Sequence, residues 1–465
     1  MRIGHLRFTR AITAGLVLLG ALGASGSVRA QTPFNVAENG FVKPVELPSS
    51  SGLGEPTIVS DARGDLYVTA PQGIGNVNAA GGSPLYHSTN HGATWSAPVR
   101  SQMCTGLSGG DTDLGIDGTG DVWQTDLWLG NSCLSLSTDG GRSFLAGNPF
   151  GSELQPGDDR PWIAYDHVSN RLFVTYDGLD ALHVTASAPL VTPEAGLQMI
   201  QDVPAVPECV VGGNNPCNSP NIRQCVCPPG GIAVDNSRGL RSGDVYLSFS
   251  RQNGGTSGGG VGIARSAPVS GGSGAGIEWS DFSVPHTGST GSAFDTEWNF
   301  DPIKVDSNGN VYVMWGELTK TGVAIKFASS STGGQTWHGP FLVSTTTHTN
   351  TFPTMDIVKP GVVDFAWYGA PGASGDPNKV SRSQIWNVYY STATAANTGT
   401  PVLSTPVVGI ANMHQGCIQT GGNGTCSDRS LLDFFTLAVD PAGHPNIIYT
   451  AGNAAKGVNL WFTKR

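Results

Sequence analysis

Basic residues are few in this chain: 25 Lys and Arg stand against 35 Asp and Glu, and only 13% of the 465 residues carry charge. An acidic surface gives nucleic acid and anionic lipid no general attraction. After the first thirty residues no segment is apolar for long enough to span a bilayer, so no membrane insertion is expected. Of the ten histidines only His87 and His91 stand four apart, in the turn-rich run HSTNHG with no glutamate between them, so the H-E-x-x-H helix of a catalytic zinc site is absent. The glycine-rich run TSGGGVG (256–262) lacks the lysine of a phosphate-binding loop, and no G-x-S-x-G nucleophile elbow stands beside a strand-turn-helix pattern. The segment DSNGN (306–310) has Val311 where a calcium loop needs glycine, and DGTGD (117–121) has Trp128 where it needs glutamate, so both read as hairpin turns. Neither a cofactor nor a metal is expected.

Glycine, in contrast, is abundant, with 65 residues beside 30 prolines. Such a chain is built from turns and short strands instead of helices. Val, Ile, Phe and Trp recur throughout, so the chain folds, around a core made of many thin layers. Residues 1–30 read as an export signal. Arg2, Arg7 and Arg10 precede the apolar stretch AITAGLVLLGALGA, and SVRA ends at a small residue, Ala30. Removing the four arginines of this segment takes the formal net charge from −10 to −14. The mature chain is expected to be secreted or periplasmic. All eight cysteines lie within it, which suits disulfides. Cys104 and Cys133 bracket one hairpin, Cys417 and Cys426 close a short loop, and Cys209, Cys217, Cys225 and Cys227 crowd an insertion near 204–229.

One hairpin is written seven times. It appears at 56–70, 112–126, 160–177, 230–250, 300–316, 352–369 and 433–450. Each copy is an alternating strand, a polar turn usually led by Asp, and a second strand rich in Val, Tyr and Trp. A third strand and often a fourth follow, as in PLYHS, SCLSLS and VAIKFASS. Four strands repeated radially predict an all-β fold: a β-propeller of four-stranded antiparallel blades, seven by this count, with six as the alternative. The segment FVKPVELP (41–48) is placed to complete the last blade beside VNLWFTKR and so close the ring.

A second signal is a corner spelled three times: STNHGATW (88–95), STDGGRSF (137–144) and SSTGGQTW (330–337). It resembles the Asp-box, or BNR repeat, of sialidases and related propellers, with Asp139 present and Asn90 and Thr332 in its place elsewhere. A short polar side chain there accepts backbone N–H groups, glycine supplies positive φ, and the aromatic packs between strands. The resemblance spans nearly all of residues 31–465, read as a single sialidase-like propeller domain, and implies that the corners lie opposite the active face. That face then collects acids, arginines and aromatics, a mixture suited to a polar, polyhydroxylated ligand.

The family resemblance implies more. Arg160, Arg251 and Arg429, with Arg382 as a fourth candidate, match an arginine set that holds a substrate carboxylate. Tyr368 matches the nucleophile, Glu297 or Glu317 its assistant, and Asp159 or Asp126 the acid/base. Asp126 and Trp128 are further candidates for binding sugar. Where the family carries an Arg-Ile-Pro signature, this chain has GLGEPTIV. The expected activity is that of an exo-acting glycoside hydrolase on acidic or polyhydroxylated sugars. A non-catalytic propeller that binds glycans or cell-surface proteins is the alternative. The expected partner is a carbohydrate or glycoconjugate, met by a monomer.

Overall fold

The computed structural model describes residues 33–71, 81–102, 108–128, 131–150, 158–178, 181–206, 229–251, 260–266, 279–285, 287, 300–420 and 426–465. Its strands form seven antiparallel sheets arranged as the blades of a propeller. The inner strands, in blade order, are Thr57–Ser60, Ser108–Ile116, Asp159–Asp166, Pro229–Val234, Ile303–Val305, Thr349–Lys359 and Thr436–Val439. The second strands are Leu66–Thr69, Val122–Trp128, Arg171–Asp177, Val245–Arg251, Val311–Thr319, Val362–Ala370 and Pro445–Asn453. These are the seven hairpins read from the sequence. Third and outer strands complete each blade, and blade six has six strands, because Val402–Leu403 also pairs with its third strand and Val36–Ala37 pairs with Val407–Gln415 at its outer edge.

The ring closes with both ends of the chain. Val45–Glu46 is the outer strand of blade seven and pairs with Gly457–Lys464, Val45 opposite Phe462. Closure removes the free sheet edges that the expected segment at 41–48 was placed to protect.

Burial explains the Val, Tyr and Trp of the second strands. Both faces of a blade are covered by neighbours, so these strands lose the alternation of a half-exposed sheet. Tyr67, Trp123, Phe173, Tyr246, Tyr312, Phe365 and Tyr449 are all essentially inaccessible. The buried apolar side chains separate into seven clusters, one at each blade interface. The core is thus a set of thin layers, as the composition implied.

Two kinds of turn hold the face opposite the channel mouth. At the first, Asp61, Asp117, Asp306 and Asp440 each accept the amides two and four residues on, at 2.9–3.1 Å, and Gly64, Gly120, Gly309 and Gly443 take φ near +85°. At the second, Ser88, Ser137 and Ser330 accept the amides of Gly92, Gly141 and Gly334 at 2.9–3.0 Å. Asn90, Asp139 and Thr332 take those of Thr94, Ser143 and Thr336 at 2.8–2.9 Å, so the corner survives the change of side chain. The aromatic that follows packs toward the preceding blade, as Trp95 does against Phe462 at 5.3 Å.

Phe462 therefore serves ring closure twice, through its strand and through its ring. It is 1% exposed. Phe462→Ala is expected to cost about 3–5 kcal/mol, read as a lower denaturation midpoint. A change within experimental error would mean that closure contributes little to stability.

Candidate functional site

An inner strand has one sheet edge turned to the axis, and its amides need partners from the next blade. Thr436 Oγ1 accepts the Ile58 amide at 2.7 Å, Asp356 that of Val439 at 2.7 Å, and Asp113 that of Ile163 at 3.0 Å. Burial, chiefly, pushes the Asp113 carboxyl up to about 6. These bonds lock the strands around a central cavity of about 150 Å³. Its lining includes Trp162, Phe300 and Phe434, which meet edge to face at centroid distances of 4.9–5.8 Å. The three rings lie where their strands begin and form a floor across the mouth.

Just before or at the start of an inner strand, five non-glycine residues adopt the left-handed conformation: Glu55, Arg160, Phe300, Phe352 and Leu432, with φ between +50° and +59°. Such a residue costs roughly 1–3 kcal/mol and persists only where its surroundings enforce it. In blade three the strand is bulged between Asp159 and Trp162, which re-aims the side chain between them. Arg160 consequently reaches across the axis.

Its guanidinium lies 3.1 Å from Asp111 of blade two, 2.9 Å from Asp433 of blade seven and 3.8 Å from Glu55 of blade one. The ring of Phe300 sits beneath it, 4.6 Å from Cζ to centroid. Arg429 grips the same Asp433 with both nitrogens, at 2.6 and 2.5 Å. Burial opposes the Arg160 cation, yet Asp111, Asp433 and Glu55 outweigh it. Burial also opposes the Asp433 anion, and the two arginines hold that carboxyl below its usual range. Glu55 behaves in the opposite way: burial, then Asp111 and Asp433, push it well up against the pull of Arg160 and Arg429.

At the edge of this cluster two aspartates are partners across neighbouring strands. Asp159 begins the inner strand of blade three, Asp177 ends the second, and the register pairs them directly. Like charges directly opposite destabilise a sheet, and here the pair splits instead. Burial and then Asp111 raise Asp159 to about 6, with Arg160 opposing. Burial and then Asp159 raise Asp177 to about 8, and its Oδ1 is buried with no hydrogen-bond partner among the described residues. The Asp159 side chain remains half exposed.

The expected residues divide accordingly. Asp159, Arg160 and Arg429 come together at the mouth. Tyr368 does not: it is fully buried between blades six and seven, stacked on Phe435 at 4.2 Å, and accepts the Thr450 amide at 3.3 Å. Burial pushes its phenol far up, so the nucleophile expected there is a core residue. Asp126 is also corrected from rim to interior. It is 2% exposed and accepts the amides of Ser83 and Gly109, and burial raises it to about 7. Glu317 is buried in blade five on Lys326 and Trp315. Arg382 is exposed in the loop before the third strand of blade six, outside the ion pairs of the cluster. The arginine set expected to meet around an open carboxylate pocket meets, in the pair Arg160 and Arg429, around Asp433. Glu297, the side chains of Arg251 and Trp128, and Cys104, Cys209, Cys217, Cys225 and Cys227 lie outside the described residues. Glu55, Asp111, Asp177 and Asp433 carry the site beside the expected residues. Proline immediately follows three of the five left-handed residues, Glu55, Arg160 and Phe352.

Cys417 and Cys426 are bridged, and the loop they close leads to Arg429. Among the described residues no helix is long and apolar enough to cross a membrane.

No protein-family model matches the chain, and a search of curated proteins finds no match. Solved structures do resemble it. A protein of unknown function from Dyadobacter fermentans is 11% identical with a TM-score of 0.46, over 93% of this chain and 99% of that one. The intramolecular trans-sialidase of Ruminococcus gnavus is 8% identical with a TM-score of 0.42, over 88% and 94%. The α-L-arabinanase of Penicillium chrysogenum is 13% identical with a TM-score of 0.41, over 72% and 94%.

Replacing Arg160 leaves buried carboxylates without their cation. Arg160→Met is expected to cost about 3–5 kcal/mol. The loss should be smaller at pH 5 than at pH 8, because protonation relieves the repulsion. Thermal unfolding at the two pH values measures it, and an unchanged melting temperature would contradict the bridging role.

Proposed function

We propose that the protein is a secreted, glycan-acting propeller, an exo-acting glycoside hydrolase whose catalytic pair is Asp159 and Asp177. The observation that carries this reading is the directly opposed pair with split titration beside Arg160. Glycoside hydrolysis needs one carboxylic acid to protonate the leaving oxygen and one carboxylate on the other side of the bond. At neutral pH, Asp177 holds the proton and Asp159 is ionised, with the Arg160 Nε 3.8 Å away to favour its charge. Asp177 gives its proton to the glycosidic oxygen as that bond breaks. Asp159 supplies electrons to the anomeric carbon, directly or through a water. The aromatic floor closes the mouth from below, which suits the end of a sugar chain more than its middle. The disulfide at Cys417 and Cys426 supports an oxidising destination.

Turnover of a panel of aryl glycosides tests the proposal. The rate should be bell-shaped: rising through about pH 6 as Asp159 ionises and falling through about pH 8 as Asp177 loses its proton. Asp177→Asn should lower kcat on the order of 10²–10⁴-fold with the fold unchanged by circular dichroism. Absence of turnover across the panel, with glycan binding intact, would make the mouth a binding surface instead.

A further inference from the structure

The two arginines at the mouth are arranged as a carboxylate clamp, and the clamp is full. Arg429 donates Nη1 to Asp433 Oδ1 at 2.6 Å and Nη2 to Oδ2 at 2.5 Å, the parallel fork in which a guanidinium meets a carboxylate. Arg160 Nη2 adds a third donor to Oδ2 at 2.9 Å. Asp433 comes from the start of blade seven, is 2% exposed, and is held as the anion. Leu432, just before it, adopts a left-handed φ of +57°, so local backbone strain is spent at the point that delivers this side chain.

A ligand carboxylate would have to displace a carboxylate that is part of the same chain. A tethered group competes at an effective concentration of roughly millimolar or more, and here it is already ordered. The incoming charge would also meet Asp111 of blade two and Asp159, the neighbour of Arg160 in its own strand. Specificity of this kind is repulsive as well as attractive. Neutral hydroxyls meet no such barrier, because they donate to carboxylates and accept from protonated carboxyls.

We infer that Asp433 is a specificity-determining residue: an internal carboxylate that fills the Arg160 and Arg429 pair and restricts the mouth to uncharged, polyhydroxylated sugar ends. The inference rests on the mouth being a sugar site, but the clamp can be tested without turnover. Wild type and Asp433→Ala are melted in acetate, sodium glucuronate or glucose, against sodium chloride of equal ionic strength. The variant should melt several degrees below wild type in chloride and regain much of the loss, saturably, in acetate or glucuronate. Wild type should gain nothing from either anion. Adding Arg429→Ala to the variant should abolish the rescue. If Asp433→Ala does not fold in chloride, the yield on refolding in acetate replaces the melting shift. Equal effects of acetate and chloride on the variant, or stabilisation of wild type by glucuronate, would overturn the inference. Rescue without glycoside turnover would remove the hydrolase reading and leave the clamp; turnover without rescue would do the reverse.

Discussion

A buried guanidinium joins four blades at the mouth of this ring. Arg160 belongs to blade three and meets carboxyls from blades one, two and seven, with a blade-five aromatic under its plane. Taking such a cation out of water is costly, and the arrangement holds only because several acids surround it. Those acids are in turn ordered by the cation. Asp433 is fixed as an anion between two arginines, while burial, then Asp111 and Asp433, push Glu55 well above its usual range. The unequal titration of Asp159 and Asp177 follows from their places at the edge of this field.

The scaffold makes the cluster affordable. Seven interblade cores are distributed around the ring, and side-chain caps on inner-strand amides tie blade seven to blade one, blade two to blade three and blade six to blade seven. Against such a frame, left-handed residues at five strand starts can be tolerated. Rigid strands thus present strained residues around the mouth. The opposite face has a different economy. Its Asp turns and three-fold repeated corners satisfy their own backbone amides and leave little capacity for a ligand.

The repeat was legible because its signals are local. Alternation, an Asp at the turn and a Tyr or Trp after it recur in register, and all seven hairpins follow from them. The corner at 88, 137 and 330 was legible for the same reason, including the replacement of Asp139 by Asn90 and Thr332. The site was only partly legible. Of the residues the family resemblance pointed to, Asp159, Arg160 and Arg429 are brought together at the mouth. Tyr368 was misplaced because the second strand of blade six continues to Ala370, so a residue read as leaving the sheet is two places inside it. Asp126 failed likewise, since its strand runs to Trp128. Asp177, by contrast, does end its strand. That Asp433 stands between the arginines depends on a contact between residues 273 positions apart, which no local pattern contains.

The central claim is that one pair of opposed aspartates is held in two protonation states by burial and by the Arg160 field. Carbon-13 NMR titration of the aspartate side-chain carboxyls in the folded protein addresses it most directly. The account predicts one midpoint at about 6 for Asp159 and another at about 8 for Asp177. Two midpoints near the ordinary aspartate value of about 4 would contradict it and leave the mouth without an acid to donate.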